Sequence, residues 1–138
     1  MRFLCTASFL LFTTFLLAQN STTLSTQIDD RLLVKYELKY LQQLQERHPV
    51  LLQRLNYYLD HAWYVTDYPT KKNSSKLPVV NIAHQKDINI LALEQAQRIH
   101  RDPKKQTVYR IANTAQVLVY HSAEKFNKKF NQLRQQQK

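Results

Sequence analysis

The side chains that could make or break bonds are few in this sequence. What is missing narrows the options faster than what is present. Five histidines, His48, His61, His84, His100 and His121, are spread along the chain, and none stands at metal-ligand spacing from another on a helix. His100 and His121 are the pair that curled strands could bring together. Asp60 and Asp67 are the kind of carboxylate pair a glycosidase would use, although surface charge is the ordinary reading of such a pair. A serine–histidine–aspartate triad needs no adjacency in sequence, and no feature points to one.

The chain has no glycine in 138 residues. That removes the phosphate-cradling P-loop, the dinucleotide fingerprint, the G-x-S-x-G elbow and the calcium loop, all of which need glycine for close backbone approach or a sharp turn. Any backbone position with positive φ must then fall to asparagine or aspartate, or be avoided. The one cysteine is Cys5, so residues 19–138 lack thiolate zinc sites, thiol catalysis and thiol redox chemistry. No H-E-x-x-H occurs. No catalytic residue, metal ligand, cofactor site or small-molecule substrate is expected, and a small hydrolase is the remote alternative.

Binding chemistry is better represented. Arg98, Arg101, Lys104, Lys105 and Arg110 surround a turn signal, Asp102-Pro103-Lys104-Lys105, with aspartate first and proline second. Two strand ends and that turn would present these cations as one patch, against the alternative of scattered charge. Tyr57, Tyr58, Trp63, Tyr64 and Tyr68 could form a stacking platform, or fill a core with their hydroxyls reaching water. Tyr109, Leu118 and Tyr120 are candidates for an apolar docking patch.

These groups have to be positioned by a small set of elements. Thr26 and Asp29 have capping spacing, and a helix is expected from there to Arg47 with Leu33, Tyr36, Tyr40, Leu41 and Leu44 on its buried face. His48-Pro49 breaks it. Proline suits the first position of a second helix over 49–61, whose stripe is Leu51, Leu52, Leu55, Tyr58, Leu59 and Ala62. The short connection favours a helical hairpin. Residues 62–68 read as an extended segment or short strand, 70–76 as a loop, and 77–82 as a short edge strand. Asp87 could cap a short helix to about Gln95. Residues 96–122 read as a three-stranded antiparallel meander with turns at Asp102–Lys105 and Asn113-Thr114. That meander would place Ile99, Val108 and Val119 on one face and Tyr109, Ile111, Leu118 and Tyr120 on the other. One face would lie under the helical hairpin, and the other would need the last helix or a partner. Ser122 suits the N-cap of an amphipathic C-terminal helix with Phe126, Phe130 and Leu133 on one stripe. The expected class is α+β: an N-terminal helical hairpin, a small three-stranded meander and a closing helix in a single domain over 26–135. A flexible lead covers 19–25 and a frayed tail 136–138.

Compartment and charge complete the picture. Arg2 precedes an apolar run ending Leu16-Leu17-Ala18, the pattern of a secretory signal peptide, with an uncleaved anchor as the alternative. The run is short for a bilayer span, which needs ~20 residues. No stretch after residue 18 could span a membrane. Asn20-Ser21-Thr22 and Asn73-Ser74-Ser75 are glycosylation sequons, or chance in polar stretches. Residues 19–69 carry five Lys/Arg against six Asp/Glu, and residues 70–138 carry fourteen against four. A positive field on one half draws nucleic acid, polysaccharide, acidic headgroups or an acidic protein surface.

The signal ending Leu17-Ala18-Gln19, the runs Leu55-Asn56-Tyr57-Tyr58-Leu59-Asp60 and Asp87-Ile88-Asn89-Ile90-Leu91, and the closing Phe126-Asn127-Lys128-Lys129-Phe130 resemble small exported proteins of Bacteroidota. The resemblance implies a periplasm or outer-membrane periphery and an accessory place in an envelope or secretion assembly. It transfers no functional residue. The expected function is therefore a non-enzymatic exported interaction module with an envelope protein partner. A basic polyanion-binding protein is the alternative.

Overall fold

A computed structural model of the chain describes residues 24–68 and 74–137. The expectations for residues 1–18, most of the lead, both sequon asparagines, Pro69 and residues 70–73 of the loop fall outside that range.

The N-terminal helix comes in two pieces. Asp29 caps a 3-10 helix, Asp30–Val34, by accepting a hydrogen bond from the Arg31 backbone N–H at 2.9 Å. The chain turns after it, and α1 then spans Leu38–Arg47. A 3-10 turn holds three residues rather than 3.6, so the phase of the buried stripe resets across the break. Leu32 is buried in place of the expected Leu33, and Tyr40 is exposed while Leu41 and Leu44 stay inside. His48, at a non-helical φ of −137°, joins α1 directly to α2, Pro49–His61, with proline in its first turn as its missing N–H favours. Leu52, Tyr57 and Leu59 are the buried residues of α2; Leu51, expected among them, is exposed.

Strand β1 is Trp63–Asp67 and β2 is only Val79–Val80. The next helix, α3, covers Ile90–Gln97. Its cap is Asn89, whose Oδ1 accepts from the Leu91 and Ala92 N–H groups, and not Asp87. Strands β3, Thr107–Ile111, and β4, Gln116–Tyr120, form a hairpin, and α4 runs over Ala123–Gln136 from its Ser122 cap.

The three-stranded meander is corrected. Its expected first strand is the end of α3 followed by a loop over 98–106, because the helix-favouring Leu-Ala-Leu-Glu-Gln-Ala-Gln stretch keeps its helical path through Gln97. The sheet has four strands in the order β1-β4-β3-β2, with β1/β4 and β4/β3 antiparallel and β2 parallel to β3. Trp63 pairs with Tyr120, Val108 with Val119, and Tyr109 with Leu118. Strand alternation thus places Tyr109, Ile111, Leu118 and Tyr120 on one face, as their spacing predicts, and Val108 and Val119 on the other. Ile99 lies on no strand and joins the first face's core.

That core is where the helices meet the sheet. Leu32, Leu41, Leu44, Leu52, Leu59, Ile90 and Leu91 pack against Val80, Tyr109, Ile111, Leu118 and Tyr120. A second, smaller cluster sets Phe126 and Phe130 of α4 against Tyr57 of α2 and Ala62. The last helix therefore covers α2, and the apolar stripe expected on it is spent there. Among the described residues no helix is long and apolar enough to cross a membrane.

Candidate functional site

The candidate residues separate into core, loop and cavity. Tyr109, Leu118 and Tyr120 are interior side chains, between 0% and 6% exposed, so the expectation that they form an uncovered docking patch is corrected. Their strands face the helices, and a partner would have to displace α1 to α3 to reach them. Tyr109 has a structural task instead. Its hydroxyl donates to the His100 carbonyl at 3.1 Å and receives the His100 N–H at 3.2 Å. Both backbone groups of one loop residue are thereby satisfied, as buried polar groups must be.

The loop over 98–106 is held at three further points. The Ala123 N–H donates to the Asp102 carbonyl at 3.0 Å and the Glu124 N–H to the Pro103 carbonyl at 3.1 Å, which ties the loop to the first turn of α4. The Asp102 carboxylate accepts from the Lys104 and Lys105 N–H groups at 2.8 and 2.6 Å. Those backbone bonds hold its carboxyl below the usual carboxylate range. The aspartate–proline turn signal is real, but it closes a loop on itself and does not join two strands.

This geometry disperses the basic set. Lys104 and Lys105 are exposed on the turn. Arg98 caps α3 in the left-handed region, at φ 53°. Arg110 alternates to the sheet face away from the core, where its Nε is buried without a hydrogen-bond partner. Arg101 turns inward, so the five cations do not form one patch. Its guanidinium carbon lies 4.9 Å from the ring centre of Tyr58 and 4.9 Å from that of Phe126, and those two rings meet edge to face at 5.6 Å. One terminal nitrogen, NH1, is buried with no partner.

Arg101 borders two adjoining hollows. The first, about 290 Å³, is lined by Leu32, Lys35, Tyr36, Tyr40, Leu44, Leu51, Arg54, Leu55, Tyr58, Leu91, Arg101 and Phe126. The second, about 390 Å³, is lined by Lys35, Tyr58, Glu94, Gln95, Ile99, His100 and Arg101. Glu94 Oε1 accepts from the Tyr58 hydroxyl and, at 3.2 Å, from the Tyr120 hydroxyl. Burial, reinforced by that carboxylate, pushes both phenols well above their ordinary range. They stay protonated donors at any physiological pH. Tyr36, which lines the first hollow, is also pushed up by burial.

No sequence pattern marks this hollow, because its residues come from a 3-10 turn, four helices and a loop. The aromatic set was a partial signal. Tyr58 lines both hollows, and Tyr57 is buried against Phe126 and Phe130 at ring separations of 5.5 and 5.7 Å. Trp63 is anchored by its indole N–H to the Leu59 carbonyl at 2.7 Å, and Tyr64 lies 40% exposed beside the His121 ring. The set is mostly core filling. Of the histidines, His121 is buried and its ionisation is suppressed, first by burial and then by Lys129 and Lys125. The His61 ring Nδ1 lies 3.1 Å from the Tyr57 carbonyl oxygen, and among the described residues no cluster of His, Cys, Asp and Glu could hold a metal ion.

No protein-family model, curated protein or solved structure matches the chain.

Proposed function

We propose that the chain is a non-enzymatic exported interaction module that takes a protein partner on its helical side, as an accessory part of an envelope assembly. One observation carries this reading. Among the described residues, Leu33, Val34, Leu38, Tyr40, Val50 and Leu51 are exposed large apolar side chains from one stretch, and only Tyr64 and Val79 match them elsewhere. Leu38 is 51% and Leu51 46% exposed, and Tyr40 and Leu51 also line the first hollow. Apolar surface gathered on one segment, beside a concavity, is what docking sites present. The secretory pattern of the first residues and the likeness to exported Bacteroidota proteins support the envelope setting.

The test is partner recovery from the native envelope with matched variants. Wild-type chain and the Lys104→Glu/Lys105→Glu variant recover the same partner in fixed stoichiometry. The Leu38→Asp/Leu51→Asp variant loses it while keeping the wild-type circular dichroism spectrum. The opposite pattern, retention by the leucine variant and loss on charge reversal with a steep salt dependence, replaces this reading with polyanion binding.

A further inference from the structure

We propose that the hollow bordered by Arg101, Tyr58 and Phe126 is a binding site for a small amphiphilic carboxylate, one anionic head on a short apolar or aromatic body. The inference does not rest on the docking role. A protein partner needs the exposed rim, and the small ligand needs the floor.

The charge of the hollow selects the head. Lys35, Arg54 and Arg101 line the hollow, and no carboxylate does. The ion pairs among the described residues both belong to Arg31, so these three cations lack an acidic partner. Arg54 donates to the Asn127 side-chain oxygen at 2.7 Å, and Lys35 lies 5.8 Å from the Tyr36 ring centre. Arg101 has its guanidinium carbon 4.9 Å from two ring centres and an NH1 with no hydrogen-bond partner. A guanidinium carries five N–H donors in a planar fork, which matches a planar carboxylate with two parallel hydrogen bonds. Glu94 borders only the second hollow, which steers an anion to the first side of Arg101.

The body is argued from the walls. Tyr36 and Tyr40 stack at 5.8 Å, and Leu44, Leu51 and Leu55 complete an apolar lining. Ligand pockets are apolar concavities with a few convergent polar groups, and about 290 Å³ sits at the small end of their range, which favours a short body.

Calorimetric titration of the full chain with sodium octanoate, sodium 4-phenylbutyrate and octan-1-ol tests this. The carboxylates bind roughly tenfold or more tightly than the alcohol, because a charge-assisted hydrogen bond is lost with the head. Arg101→Met, which keeps a stem to pack on the rings, weakens the carboxylates roughly tenfold and leaves the alcohol unchanged. Arg98→Gln changes neither. Leu38→Asp, outside the lining, also changes neither, so failure of the docking role and failure of this site are read separately. Equal affinity for acid and alcohol, or no carboxylate binding by ~1 mM, overturns the proposal, and both readings need only the wild-type chain. Unaltered octanoate affinity in a folded Arg101→Met variant overturns it as well.

Discussion

Two half-buried arginines show two different uses of a cation in this fold. Arg31 is matched on every side. Its NH2 lies 2.8 Å from Asp29 Oδ2, its NH1 lies 2.6 Å from Asp60 Oδ1, and its carbonyl accepts from the Asn89 side chain at 3.2 Å. Asp29 caps the 3-10 helix, Asp60 sits near the end of α2, and Asn89 caps α3, so one residue fastens three elements, two through its guanidinium and the third through its backbone carbonyl. Arg101 is held by faces and not by charges. Two aromatic ring centres lie 4.9 Å from its guanidinium carbon, and no carboxylate forms an ion pair with it. The first corner is complete as it stands. The second leaves a cation with an unpartnered donor, which a binding group can use and a structural one cannot.

The comparison breaks first on packing. Phe126 is 1% exposed and touches Tyr57, Tyr58 and Arg101 together. Phe126→Ala should cost about 3–5 kcal/mol, the range for emptying a buried aromatic site, measured from the urea midpoint. No charge substitution in either corner should approach that. A cost under about 1 kcal/mol would mean that the second cluster is loosely packed and that Arg101 is not held in place.

The two arginines themselves give the next contrast. Arg31→Met leaves two carboxylates facing each other, and should cost about 1 kcal/mol because the pairs are partly exposed and screened by solvent. Arg101→Met removes a half-buried charge with no acidic partner and keeps an apolar stem beside the rings. Its stability should be unchanged or slightly higher. Equal losses in the two variants would show that Arg101 is as structural as Arg31.

Acid sharpens the same contrast by a smaller amount. The Arg31 side chain holds the Asp29 carboxyl below its ordinary 3.8, against an opposing effect of burial. A carboxylate with a lowered folded-state value binds fewer protons folded than unfolded, so it adds stability above the unfolded value. That contribution is present above about pH 4 and fades as the pH drops through the lowered value. Wild type and Arg31→Met should therefore differ most near neutrality and converge in strong acid. The Arg101→Met curve should run parallel to wild type throughout. Urea midpoints from pH 7 to pH 2 check both statements.

Much of this architecture was legible from spacing and punctuation. Proline at 49 set α2 to the residue, Ser122 set the start of α4, and strand alternation sorted Tyr109, Ile111, Leu118 and Tyr120 onto one face. The break after Val34 was not legible, because no glycine or proline marks it; the turn is made by Lys35 and Tyr36 donating to one carbonyl, that of Leu32. The third antiparallel strand was sought next in sequence and is β1, more than forty residues earlier, because pairing is decided by side-chain burial across the sheet and not by proximity along the chain. The cavity was the least legible feature. Its cations are scattered over three segments, and only the aromatic floor was visible in composition. The basic residues around its turn suggest a surface patch for Arg101, whereas the loop is anchored to α4 and Arg101 lies against Tyr58 and Phe126.

Glycine's absence leads to the smallest and most specific expectation. Left-handed backbone occurs at Arg98, φ 53°, and Asn113, φ 58°. Asparagine tolerates that region, since its short polar side chain bonds locally, and it sits in the β3–β4 turn as expected. Arginine does not, and its Cβ crowds the following carbonyl for about 1 kcal/mol. Arg98→Gly relieves that crowding but frees the unfolded chain, which takes back part of the gain. The net should be a rise of about 0.5 kcal/mol, with Asn113→Gly nearer zero. Thermal midpoints of the two variants decide it. A fall at position 98 would mean that the exposed arginine side chain contributes an interaction worth more than the strain, which would make it a third kind of arginine, neither matched like Arg31 nor waiting like Arg101.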